Sequence, residues 1–130
     1  MSIIENKELV RRYLEAINKK PKPVELLEQY LSDQELIEHI LVSEVAFPLY
    51  WLELEEMIAE GDLISLRTRL RGVHQGDFMG IPPTGKEIDV PCFLTYRIAG
   101  GKIADHWMMV DQALMMQQLG VSQPQEEERL

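Results

Sequence analysis

Residues 101–120 read GKIADHWMMVDQALMMQQLG, a strand that turns directly into a short helix. Alternation puts Ile103, Trp107 and Met109 on one face together with Asp105 and Asp111. Ala104, His106, Met108 and Val110 take the other face. Apolar residues on both faces predict a strand covered on both sides. Asp111 precedes Gln-Ala-Leu-Met in the manner of an N-cap, and Gly120 suits the residue that closes a helix. His106 and Asp111 are therefore ionisable groups set among apolar neighbours.

Working back from this segment, Gly100-Gly101 is a hairpin turn. Before it, Ile88, Val90, Cys92, Leu94, Tyr96 and Ile98 share one parity of a long strand. Four glycines and Pro82-Pro83 mark residues 72–85 as a loop. Ile64, Leu66, Thr68 and Leu70 alternate with Ser65, Arg67, Arg69 and Arg71, a half-exposed strand that Glu60-Gly61-Asp62 joins to another over about 50–59. The first third is helical. Ser2-Ile3-Ile4-Glu5 is a capping box ahead of Val10, Tyr13, Leu14 and Ile17 at helical spacing. A short helix follows Pro23, and Ser32-Asp33-Gln34-Glu35 reads as a second capping box opening a helix to about Val45. Three helices, four consecutive antiparallel strands and a terminal helix define an α+β fold with helices gathered on one face of a sheet. Strands this long must twist and curl, and a curled sheet closed by helices leaves a concave interior.

At 130 residues with 45% hydrophobic and 27% charged residues, the chain has the length and composition of one globular domain. Residues 1–121 carry the domain pattern, and 122–130 read as a polar, acidic, disordered tail. The net charge of -9 argues against nucleic acid and anionic membranes, both of which demand Lys and Arg. No apolar run is long enough to span a bilayer. One cysteine and no leader pattern point to the cytoplasm. A neutral or apolar small molecule, or another protein, is the expected partner.

Two stretches carry a resemblance. One is Arg71-Gly72-Val73-His74-Gln75-Gly76-Asp77-Phe78-Met79-Gly80-Ile81-Pro82-Pro83-Thr84-Gly85-Lys86. The other is Tyr96-Arg97-Ile98 with Gly101-Lys102-Ile103-Ala104-Asp105-His106-Trp107, Asp111 and Gln118-Leu119-Gly120. Together they resemble the SnoaL-like polyketide cyclases, often labelled ester cyclases, of the NTF2-like superfamily. The resemblance implies a cone-shaped barrel, a strongly curved antiparallel sheet with N-terminal helices closing a deep pocket, and a homodimer through the sheet. It also implies cyclase or isomerase chemistry without metal or cofactor, in which an acidic residue takes a proton alpha to a carbonyl in an aldol cyclisation. The family's acid falls on Met108 here, and its assisting histidine falls on Leu94. Neither a thioether nor an isobutyl group transfers protons at neutral pH.

The remaining acid–base residues are His106, His74 and Asp111, each with a structural reading beside the catalytic one. His106 shares parity with Met108, and imidazole titrates nearest neutrality. The bland alternative is a strand histidine with no chemistry. Asp111 is a general acid or simply a helix cap. His74 lines the pocket mouth or bonds backbone carbonyls freed by the loop's glycines. Tyr13, Phe78, Leu94, Tyr96 and Met108 are the expected ligand-contacting residues; Tyr13 would stabilise an oxyanion or merely pack. The three histidines lack close ligand spacing, so no metal site is expected. The expected function is a cofactor-independent cyclase or isomerase for a carbonyl-containing apolar molecule. The alternative is a non-catalytic binding or dimeric interaction module on the same fold.

Overall fold

In the computed structural model, residues 2–121 are described; the acidic tail expected at 122–130 lies outside them. Three helices, α1 (Ile3–Ile17), α2 (Val24–Tyr30) and α3 (Gln34–Ala46), precede β1 (Trp51–Glu60), β2 (Leu63–Val73), β3 (Glu87–Ala99) and β4 (Lys102–Val110). Helix α4 (Gln112–Leu119) ends the domain. The strands form one antiparallel sheet in the order β1-β2-β3-β4. Its element order and curvature are those the sequence pattern predicts.

Local chemistry sets the helix ends. Ser2 and Glu5 form the expected reciprocal capping box on α1. The second box does not form as read. Asp33, not Ser32, caps α3, with its Oδ1 accepting from Leu36 N at 3.1 Å. Ser32 is drawn away because its backbone N–H donates to Ile103 O of β4 at 3.0 Å. Asp111 caps α4 by accepting from Leu114 N at 3.0 Å, and Gly120 ends that helix with φ of 77°.

Alternation is strict along β3, where Ile88, Val90, Cys92, Leu94, Tyr96 and Ile98 are all buried. Cys92, Leu94, Tyr96 and Ile98 join the core that packs Val10, Tyr13, Leu14 and Ile17 with Leu36, Ile37, Ile40, Leu66 and Ile103, while Ile88 and Val90 pack with Phe47, Tyr50, Met115 and Leu119. Register shifts at Leu54/Glu56 and at Arg97/Ile98 interrupt the ladders; such bulges bend a strand and tighten its twist. The sheet therefore curls around the helices. Two amide side chains fasten helices to strands in the manner of extra ladder rungs. Asn18 exchanges hydrogen bonds with the backbone of Leu52, and Gln118 does so with that of Asp89. Lys22, fully buried, is held by Glu44 Oε1 at 2.7 Å and by the carbonyls of Lys20 and Tyr50. All three ammonium protons thus have acceptors, as a buried charge requires.

The outer face of the sheet differs from expectation. Apolar residues on both faces of β4 suggested cover on both sides, yet Trp107 and Met109 are 49% and 74% exposed. Phe93 and Ile58 join them at 52% and 61%. The chain has a single sheet layer, and all four helices stand on or beside the other face, so nothing within these residues covers this one.

The loop after β2 folds back on α3. Gln75 and Gly76 both donate to Ala46 O, at 3.0 and 3.1 Å, capping the end of that helix. A β-carbon on Gly76 would stand 2.0 Å from Val45 O, a backbone atom that cannot step aside. Gly76→Ala is expected to cost about 1–3 kcal/mol through this clash, read as a lowered midpoint in denaturant at unchanged slope.

Candidate functional site

The concave face of the sheet encloses an apolar cavity of about 80 Å³. Its helical wall is one stripe of α3, where Leu36, His39, Ile40 and Ser43 recur at helical spacing. Its sheet wall comes from Cys92, Leu94 and Tyr96 of β3 with Met108 and Val110 of β4. Tyr13, Phe78 and Met115 also line it. All five residues expected from sequence to contact a ligand, Tyr13, Phe78, Leu94, Tyr96 and Met108, therefore face one space. The volume would hold roughly five to eight waters, or about one small ring. That is narrower than the deep pocket expected from the family resemblance.

The base of the cavity is dry and aromatic. Tyr13 and Tyr96 are 1% exposed and meet edge to face with centroids 6.1 Å apart. Burial raises both phenols above their ordinary value, so both hydroxyls stay protonated at neutral pH and remain donors. Cys92 lines the same wall, and burial pushes its thiol up to about 11. Leu94 and Met108 stand directly opposite one another across the β3–β4 ladder. The two positions where the family carries proton-transfer groups are thus joined here into one apolar patch.

An ionisable cluster lies beside the cavity, but His106 and Asp33 are not among the residues that line it. His106 lies two residues before Met108 and pairs across the ladder with Tyr96. Its Nδ1 is 2.7 Å from Asp33 Oδ2, and the two side chains are only 11% and 10% exposed. His39 lines the cavity one turn into α3, with Nε2 3.5 Å from Ser43 Oγ. Burial pushes the His39 imidazole below its ordinary value, and the neighbouring His106 pushes the same way. Ligand atoms of Asp33, Asp105 and His106 lie within 4.8 Å of one another. These donors are spent within the protein: Asp33 serves His106 and Leu36 N, and Asp105 Oδ1 accepts from His106 N.

The other two acid–base candidates sit elsewhere. Asp111 is exposed, caps α4 and does not line the cavity, whereas its neighbour Gln112 does. His74 is fully buried behind the cavity wall, packed on Phe47 and Phe78 with centroids 5.4 and 6.4 Å away. Its Nδ1 accepts from Thr84 N at 3.2 Å and lies 3.0 Å from Thr84 Oγ1. It pins the glycine-proline loop through a backbone N–H, not through carbonyls as the bland reading had it. Accepting at Nδ1 puts the proton on Nε2, which has no partner among the described residues. Sequence reading overlooked Asp33 and His39. Asp33 was absorbed into a capping motif, and the 73 residues that separate it from His106 hid the pair.

A curled antiparallel sheet, closed by N-terminal helices over an apolar cavity, defines the SnoaL and NTF2-like class of α+β barrels. The chain belongs to the SnoaL-like polyketide cyclase family, whose model matches residues 20–119. Solved structures agree. AclR from Streptomyces galilaeus, a candidate hydroxylase, is similar at 25% identity and TM-score 0.79, covering 92% of this chain and 98% of its own. A SnoaL-like polyketide cyclase candidate from Jannaschia sp. CCS1 gives 21% identity and TM-score 0.81, covering 95% and 97%. IdmH from Streptomyces antibioticus, a candidate polyketide cyclase, gives 23% and 0.74, covering 89% and 99%. Comparison with curated proteins gives no match. No helix among the described residues is long and apolar enough to cross a membrane.

Two side chains give direct checks. Asp111→Ala should cost about 1 kcal/mol by removing the α4 cap, while Asp111→Asn should cost far less, both read by thermal unfolding. With its pKa near 11, Cys92 is almost wholly a thiol at pH 8, and its burial blocks attack. A disulfide-type thiol reagent should therefore leave it unmodified in the native state and react on unfolding. The linkage sign follows: the unfolded thiol ionises near about 8.5, so this group's contribution is intact below that pH and falls as pH rises toward 11.

Proposed function

We propose that this protein performs cofactor-free acid–base chemistry, of cyclase or isomerase type, on a small apolar molecule bearing a carbonyl. Family membership supports the reaction class. The observation that carries the proposal for this chain is the arrangement of one cavity. Phenol donors line its apolar base, and an imidazole–carboxylate pair lies beside it, outside the lining. Such a site divides the work of enolisation. An imidazole takes the proton alpha to the carbonyl, and a hydrogen-bond donor steadies the charge that builds on oxygen. An apolar wall strengthens that second interaction by lowering the local dielectric. The cavity volume favours a single ring, or one ring of a larger ligand whose remainder lies at the mouth beside His39 and Gln112.

The opposed pair Leu94 and Met108 supports a second reading, a non-catalytic module that binds an apolar ligand. Solvent deuterium exchange separates the two. Simple cyclic ketones such as cyclopentanone and cyclohexanone, incubated with the protein in heavy water at pD 7.5, should exchange alpha protons faster than in buffer. His106→Ala should reduce that rate by roughly 10²–10⁴. Binding without exchange across the panel would leave only the binding module, and an unchanged rate in His106→Ala would remove His106 as the base.

The exposed outer face of the sheet supports assembly as a homodimer. Ile58, Phe93, Trp107 and Met109 form an apolar patch, with Arg67, Glu56 and Thr95 beside it. Such a patch on a folded chain marks an interaction surface. Light scattering at micromolar concentration should give twice the chain mass, and Trp107→Glu with Met109→Glu should return it to one.

A further inference from the structure

Asp33 is usually what its position makes it, a helix cap. Here only one carboxylate oxygen does that work, Oδ1 on Leu36 N. The other, Oδ2, reaches His106 Nδ1 at 2.7 Å across 73 residues of chain. An ionised carboxylate has no proton to give, so Nδ1 must carry the hydrogen of that bond. In the neutral ring the lone pair is then on Nε2, which has no partner among the described residues and is not sealed from solvent. The cap position also matters. Asp33 heads the same α3 stripe, Leu36, His39, Ile40 and Ser43, that walls the cavity, so whatever Asp33 holds stands at the end of that wall.

We propose that Asp33 is a positioning residue that sets the tautomer of His106, making Nε2 the acid–base atom beside the cavity. The inference rests on the acid–base reading above for its use in catalysis, and on geometry alone for the tautomer. The step balances without oxidant or cofactor. Nε2 accepts a proton from the ligand carbon alpha to the carbonyl, and the C–H electron pair moves into the enolate. Nδ1–H stays bonded to Asp33, and the imidazolium later returns its proton to carbon or oxygen of the product. His39, one turn along the stripe, is the imidazole that lines the cavity itself. Its depressed basicity leaves it uncharged beside the pair, so it does not oppose the positive charge His106 acquires.

Asp33→Asn separates this role from a structural one, because asparagine caps helices about as well as aspartate. Its carboxamide offers N–H where the carboxylate offered only oxygen, so Nδ1 becomes the acceptor and the proton moves to Nε2. Nitrogen-15 correlation spectra at pH 8.5, with His106 assigned by loss of its signals in His106→Gln, read the tautomer directly. The wild-type protein should show Nδ1 protonated, and Asp33→Asn should show the reversed pattern with little change in melting temperature. Carbethoxylation of His106 by diethyl pyrocarbonate, followed by peptide mass, should slow at least tenfold in Asp33→Asn. An unprotonated Nδ1 in the wild type, or the same tautomer in both proteins, would overturn the assignment. Ketone exchange reports separately. A tautomer that reverses as expected in a protein that never exchanges ketone protons would uphold the positioning role and sink the catalytic reading.

Discussion

Four long strands in one sheet present two faces, and this chain has helices for only one of them. That asymmetry organises the molecule. The covered face needs a roof, which α1 and α3 supply by laying Tyr13, Ile17, Leu36 and Ile40 against Ile64, Leu94 and Tyr96. The bulges at Leu54/Glu56 and Arg97/Ile98 let the sheet wrap that roof instead of lying flat under it. A roof of cylinders on a curled sheet does not fill every gap, and the cavity is the residue of that mismatch. The uncovered face keeps its charges in cross-strand pairs, such as Arg71 with Glu53 and Arg69 with Asp89, around an apolar centre.

The same constraint explains where ionisable groups are tolerated. Deep in the cavity an unpaired charge would cost several kcal/mol, and the polar groups found there are phenols and a thiol that burial keeps neutral. The Asp33–His106 pair lies outside the cavity lining, where both side chains retain some access to water. Lys22 follows the rule in a purely structural setting. Burial lowers its affinity for the proton, and Glu44 with two carbonyls opposes that loss.

Much of this was legible from the sequence because its signals are local. Strict alternation from Ile88 to Ile98 gave the strand and its buried face. Asp111 before an apolar helix and Gly120 after it gave both ends of α4. Among the cavity residues, Leu94, Tyr96 and Met108 followed from strand parity with the family resemblance, and Tyr13 from the helical spacing of α1. What escaped depends on distance in sequence. Ser32 and Asp33 are equally good caps by type, and only the hydrogen bond from Ser32 N to Ile103 O, made when α2 meets β4, decides between them. The Asp33–His106 pair is invisible for the same reason. His74 shared parity with the inward residues of β2, yet strand parity stops counting once the chain leaves the ladder at Val73. Alternation on β4 reports that both faces are apolar, not whether the cover of the outer one comes from the same chain.

Replacing a proton-transfer residue with Met108 need not empty a site of chemistry if another group can reach the same space. On a sheet, residues two apart share a face at a separation of roughly 7 Å, about one small ring's width. His106 and Val110 are therefore the two neighbours of Met108 on its face of β4, and of these Val110 lines the cavity. On the reading proposed above, a base moved by that step would work beside the cavity, while the apolar patch of Leu94 and Met108 would hold the ligand. Such a displaced site also needs new support, since the partner at position 94 is gone. The cap of α3 supplies it without cost to the helix, because a carboxylate has two oxygens and a cap uses one. The arrangement thus converts a residue that the fold already requires into one that orients an imidazole. It would place the reacting carbon of a ligand at the rim, with its apolar body inside.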